Sequence, residues 1–222
     1  NQLLARFAIT SIIAMLVSAL YNIVDQFYIG RSVGMLGNAA TNVAFPLTIT
    51  CTAISLMCGI GGAANFNLSL GSGEKEEATR YAGNAVFMLA ALGVLLCLMI
   101  VFGATPDVLD YSLTYTGITS LGFPFLILTT GGSNLIRADG SPRFSMMCTL
   151  TGAVLNTILD PLFIFGFHMG MAGAALATII GQIISGIMVI VYLTRFKTVR
   201  LSLGSLVPVP SHMKAIAALG MA

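Results

Sequence analysis

Long uncharged runs alternate with short charged turns along the chain. Residues 7–24, 32–73, 81–106, 111–136, 144–159 and 161–194 contain no Asp, Glu, Lys or Arg. About 20 apolar residues carry a helix across the hydrocarbon core of a bilayer, so these runs predict membrane-spanning helices. The 32–73 run opens on a turn-like stretch (Gly34, Gly37, Asn38), and the last contains Gly166-Phe167-His168-Met169-Gly170, which reads as a second turn. Six helices follow, at about 3–29, 40–70, 79–104, 111–136, 144–166 and 171–194, with a seventh beginning near Met213. Glu74, Glu76 and Glu77 fall in a charged loop. Asp107 follows Pro106 at a turn beside Asp110, and Asp139 sits in an Asp-Gly turn, so all six acids read as solvated. His168 and His212 read as loop residues without a role.

Composition agrees with this pattern. Of 222 residues, 57% are hydrophobic and 8% charged, against about 25% charged in a soluble domain. Mean hydropathy is +0.95. So few charges cannot cover a water-facing surface, which makes this an all-α integral membrane protein, a six-transmembrane-helix bundle whose first partner is the lipid bilayer. The net charge of +2 offers nothing to a nucleic acid. Disorder requires the opposite composition, and a signal peptide would be followed by polar sequence. The four cysteines lie apart in apolar runs with no CxxC pair, so neither a disulfide framework nor a zinc site is indicated. No cofactor is expected. Nine of the ten Lys and Arg fall before the first helix, in 71–80, in 137–143 and after the sixth helix, leaving only Arg31 opposite. The positive-inside rule then places the N-terminus in the cytoplasm of a multi-pass plasma (inner) membrane protein.

Two acids interrupt the apolar runs. Asp25 and Asp160 each lie inside a span, where a charge costs about 2.5–3.5 kcal/mol even on the lenient insertion scale. Asp25 is about 33 Å along its helix and Asp160 about 24 Å along its own, at 1.5 Å per residue, so both reach the outer half of the bilayer. Asn156 precedes Asp160 by four residues and shares its helical face. Tyr21, Asn22 and Tyr28 flank Asp25. Thr178 lies about 10 Å down the sixth helix, with Gln182 and Ser185 continuing its stripe. Two carboxylates, an amide carbonyl and a hydroxyl make an oxygen cage suited to a hard cation, and the same acids can bind protons. Asn65, Asn84 and Asn134 read as bridges between helices, and Gly59, Gly61 and Gly62 as points of close helix approach.

Several runs resemble the multidrug and toxin extrusion (MATE) family of secondary transporters, most of all its bacterial members. They are Ala19-Leu20-Tyr21-Asn22-Ile23-Val24-Asp25-Gln26, Leu36-Gly37-Asn38-Ala39-Ala40 with Phe45-Pro46, Leu135-Ile136-Arg137-Ala138-Asp139-Gly140, Asn156-Thr157-Ile158-Leu159-Asp160-Pro161, and Ala172-Gly173-Ala174-Ala175-Leu176-Ala177-Thr178. The resemblance implies twelve helices in two six-helix lobes, of which this chain would be the N-lobe. Residues 1–200 would form that lobe, and 201–222 the cytoplasmic inter-lobe linker and the start of the seventh helix. It implies antiport: export of small organic, often cationic, drugs and toxins in exchange for Na⁺ or H⁺. It also implies a C-terminal lobe as intramolecular partner. The family's N-lobe cation site maps onto Asp25, Asn156, Asp160 and Thr178, with Tyr21, Asn22 and Gln182 as a possible second shell. A first-helix proline common in the family is replaced by Ile9-Thr10-Ser11, which leans towards Na⁺.

The alternative within the same broader superfamily is a lipid-linked precursor flippase, which needs cations in a central cavity. An enzyme is not indicated. Asp160 sits in Ile-Leu-Asp-Pro rather than the Gly-x-Gly-Asp of aspartyl intramembrane proteases, and no Ser/His or zinc constellation is present.

Overall fold

The uncharged runs fold as helices because a chain in hydrocarbon must satisfy its own backbone hydrogen bonds. A computed structural model describes residues 2–103 and 110–221, and contains helices and turns with no strand among them. In order these are α1 (Gln2–Val33), α2 (Met35–Gly71), α3 (Lys75–Gly103), α4 (Asp110–Ser120), α5 (Phe123–Ala138), α6 (Pro142–Pro161), α7 (Gly170–Leu193) and α8 (Pro210–Met221). A π-helical turn, Leu162–Gly166, extends α6, and a 3-10 turn, Leu203–Leu206, precedes α8. Stretches Ala8–Val33, Gly37–Gly71, Lys75–Met99, Pro142–Gly166 and Gly170–Leu193 are each long and apolar enough to cross a membrane. The turn expected at Pro106-Asp107 lies outside the described residues.

The fourth span departs from the expected single helix. It is two, α4 and α5, separated at Leu121-Gly122. Pro124 has no N–H and its ring would clash with the carbonyl four residues back, and it sits in the first turn of α5, where neither matters. Leu121 N and Gly122 N close α4 on Ile118 O (3.2 Å) and Thr119 O (2.9 Å), and Leu126 N opens α5 on Gly122 O (2.9 Å). A Cβ at Gly122 would lie 2.1 Å from Gln182 Oε1, so α7 sits directly against the break. Pro161 acts similarly one span later, ending α6 just after Asp160 and widening the chain into the π turn.

Lipid is as apolar as leucine, so close backbone approach replaces the hydrophobic effect as the glue between helices. A Cβ on Gly59 would lie 2.5 Å from Gly131 O, and one on Gly62 2.4 Å from Ala85 Cβ, so α2 packs tightly on α5 and α3. The main core, around Cys58, Phe66, Leu89, Ile127, Leu135 and Ile136, fills the space between those helices. The start of α8 docks on the same group. Gly61 and Gly220 meet the backbones of Ile216 and Met57. Asn65 Nδ2 donates to Ala215 O (3.3 Å) and so bridges α2 to α8, and Asn84 Oδ1 accepts from Val209 N (2.7 Å), tying α3 to the residue just before α8.

Two residues read as idle in the sequence are employed here. His212 is not in a loop but on α8, buried, with Nε2 2.7 Å from Glu77 Oε2 and its ring edge-on to Tyr81. Asp139 is not solvated but 5% exposed. It accepts hydrogen bonds from Tyr192 Oη (2.8 Å), Lys197 N (2.8 Å), Thr198 N (2.9 Å) and Thr198 Oγ1. The carboxylate thereby ties the α5–α6 turn to the segment leaving α7, a contact between residues far apart in sequence.

Candidate functional site

Asp25 on α1 and Asn156 and Asp160 on α6 are buried at 6%, 3% and 0% exposure. The α6 pair shares a face through its four-residue spacing. Placing α7 beside that face depends on a backbone-to-backbone crossing: a Cβ on Gly181 would lie 2.8 Å from Gly152 O. Asn156 and Thr178, each within one turn of that crossing, consequently meet. Asn156 Nδ2 donates to both Asp160 Oδ1 and Thr178 Oγ1, each at 3.3 Å. The carboxyl of Asp25 comes within hydrogen-bonding reach of that of Asp160. The four residues singled out from the sequence are therefore neighbours.

Their oxygens outnumber their donors. Asp25 Oδ1, Asn156 Oδ1 and Asp160 Oδ2 are all buried without a hydrogen-bond partner. A buried, unsatisfied acceptor costs roughly 1–3 kcal/mol, and oxygens left bare in this way are able to take up a cation or protons. Next to them the chain is apolar. Ile29, Ile164 and Ala174 stand one helical turn from Asp25, Asp160 and Thr178 respectively, and with Met171 they form a separate buried cluster. This cluster closes the end of the site facing the His168 turn.

The remaining sequence candidates divide. Tyr21, one turn before Asp25, lines a cavity of about 290 Å³ together with Asn156, Thr178, Gln182 and Ser185. Gln182 Oε1 is buried and unpartnered beside Gly122, in the cavity rather than at the acid pair. Asn22 is exposed and donates to Ser18 O (2.8 Å) on its own helix. Tyr28 packs edge-on to Phe165 at 6.1 Å, in the apolar closure.

Four residues near the site escape the sequence reading. Tyr115 on α4 packs on the closing cluster. The hydroxyl-rich run Tyr111-Ser112-Leu113-Thr114-Tyr115-Thr116 was its signal. Gly152 and Gly181 set the crossing, and nothing distinguishes them in the sequence from the other glycines. Arg137 was assigned to a loop. It ends α5 and lines the cavity.

The MatE family model matches residues 10–162. The multidrug export protein MepA of Staphylococcus saprophyticus is 30% identical over 202 residues, 85% of this chain and 44% of that protein. MepA of Staphylococcus haemolyticus is 28% identical over 198 residues, again 85% and 44%. The chain thus spans about half the length of the curated relatives it matches. Among solved structures, the outward-facing conformation of a multidrug resistance MATE family transporter superposes at a TM-score of 0.87 and 24% identity, over 99% of this chain and 51% of that one. A MATE structure in the straight conformation gives 0.90 at 24% identity, over the same 99% and 51%. At that identity the superpositions show the fold.

Proposed function

Because the chain belongs to the MatE family, one of membrane transporters rather than enzymes, we propose that it is the cation-coupling half of a drug exporter. The full protein exchanges small organic compounds, often cationic, for Na⁺ or H⁺ entering from outside. The ion is held by Asp25, Asn156, Asp160 and Thr178, with Tyr21 and Tyr115 beside them. The N-terminus and the Asp139 turn face the cytoplasm, where nine of ten Lys and Arg then lie. A C-terminal lobe covers the apolar stripe of α1, whose Ile12, Leu16, Leu20, Ile23 and Phe27 are more than half exposed.

One observation carries this reading: three buried oxygens without partners, on two helices, gathered around an Asn156 amide that already bridges Asp160 to Thr178. Filling that set with a cation changes how α1, α6 and α7 pack. Because only a difference in ion affinity between two conformations can drive a change between them, the set serves as a coupling device when one conformation holds the oxygens apart. The flippase alternative gains little, since a pyrophosphate needs several cations and Arg137 alone among the described cavity residues is ionised.

The test is efflux of a fluorescent organic cation from proteoliposomes holding the full-length protein, driven by a Na⁺ or a pH gradient. Efflux should follow one gradient and be lost in both Asp25→Asn and Asp160→Asn while each variant remains in the membrane. Unchanged efflux in either variant would remove that residue from the coupling site.

A further inference from the structure

The cavity has one charged wall. Among the described residues lining it, Arg137 alone is ionised, and Ser145, which it bonds, stands eleven residues along α6 from Asn156, about 16 Å at 1.5 Å per residue. Arg137 Nε donates to Ser145 Oγ (3.1 Å), which fixes the plane of the guanidinium. Its Nη1 and Nη2 have no partner among the described residues, and no carboxylate lies within ion-pair distance. Asp139, two residues on, is already committed to Tyr192, Lys197 and Thr198. Asp160 stands fifteen residues along α6 from Ser145, about 22 Å at 1.5 Å per residue. The guanidinium is therefore half-buried, held by a neutral hydroxyl and uncompensated.

Its neighbours offer donors as well. Ser133, one turn earlier on α5, is 4% exposed, and its Oγ is buried without a partner. Thr129 Oγ1, one turn further, is likewise buried and unpartnered. Both hydroxyls line the cavity, so a row of donors runs along α5 towards Arg137. A planar guanidinium fork matches a carboxylate in a two-bond geometry that an ammonium cannot reproduce. A volume of about 290 Å³ is at the lower bound for a drug-sized ligand.

We propose that Arg137 binds an acidic group of the transported compound, so that the cavity favours organic acids and amphoteric molecules over analogues lacking the acid. This rests on the transporter reading and names its substrate class. A compound with a carboxylate at one end and an amine at the other would place its acid on Arg137 and its amine towards Asn156, before the two buried aspartates. Asp25 and Asp160 then serve the coupling ion, and Arg137 the cargo.

The test uses purified full-length protein and two probes, a xanthene dye with a free benzoic acid and its methyl ester, which differ by one negative charge. Binding is read by fluorescence polarisation, without any gradient. The wild type should bind the acid more tightly than the ester. Arg137→Gln should weaken the acid by about tenfold or more and the ester by less than about twofold, the mark of a lost charge-assisted fork. Arg137→Lys keeps the charge but not the fork and should fall between. Ser145→Ala removes the hydroxyl that orients the guanidinium but keeps its charge and its fork, and should retain a preference for the acid, and if Arg137→Gln does not fold, these two variants decide the matter. Equal weakening of both dyes would make Arg137 a purely structural residue and overturn the proposal. So would an acid that binds no better than its ester. Efflux of the same dyes is measured in parallel. Arg137-dependent binding without gradient-driven efflux would break the antiport reading alone, and efflux without an Arg137-dependent preference would break this proposal alone.

Discussion

Asp139 and Asp160 are the same residue at nearly the same burial, 5% and 0% exposed, in surroundings that are opposites. Asp139 receives four hydrogen bonds from Tyr192, Lys197 and Thr198. Asp160 receives one, from an Asn156 amide shared with Thr178, and keeps a bare Oδ2 beside a second carboxyl. A carboxylate whose lone pairs are filled by protein donors is part of the scaffold. One buried with lone pairs unfilled stores an unfavourable arrangement that an incoming cation relieves. Burial and residue type do not separate the two, whereas the supply of donors does.

The largest effect on export should come from Asp160→Asn. It removes one charge from the starved pair and should reduce gradient-driven export at least about tenfold, the equivalent of 1.4 kcal/mol. Its Tm in detergent should not fall, because the bare carboxylate stabilises nothing when the ion is absent. Added Na⁺, or acid, should raise the Tm of the wild type and leave this variant flat, as ligand linkage requires. A sharp fall in the variant's Tm would mean that Asp160 is scaffold too, and the contrast would collapse.

Asp139→Ala should do the reverse. Stranding four donors should cost about 3 kcal/mol, read as a lowered Tm with no change in the ion dependence of what remains folded. Gly181→Ala tests the crossing that brings Thr178 to Asn156. A Cβ 2.8 Å from Gly152 O forces α6 and α7 apart at about 1–3 kcal/mol, and ion-dependent stabilisation should weaken with it. Tyr192→Phe removes one of the four bonds on Asp139 and should cost only about 1 kcal/mol. Asn22→Ala should shift neither Tm nor export by more than about 0.5 kcal/mol, as an exposed substitution does. A large loss of export there would place Asn22 back beside the ion.

Much of the site could be read before the fold was known, because its central pair is local. Asn156 and Asp160 are four residues apart, and helical periodicity alone puts them on one face. Asp25 joined them because both acids reach the outer half of a membrane of fixed thickness. Asn22 is placed differently: α1 turns it outwards, where it bonds Ser18 O. Arg137 failed for a different reason. A cation next to a charged turn looks solvated in one dimension, yet the last turn of α5 bends its side chain back into the cavity, where Ser145 holds it.

By itself the sequence determined that this chain lives in a membrane, where its helices run, and which two acids were out of place. Hydrocarbon thickness, the cost of intramembrane charge and the helical repeat act on stretches shorter than about thirty residues, so a linear reading captures them. The tertiary structure alone decided that Asp139 is a clasp, its partners lying 53 to 59 residues away. It alone decided that Gly152 and Gly181 set the crossing, and that an apolar cluster closes one end of the Asp25–Asp160 pair while an arginine lines the cavity beyond it. Each of these depends on which faces of distant helices meet, and that is settled by backbone approach and donor supply summed over the whole bundle.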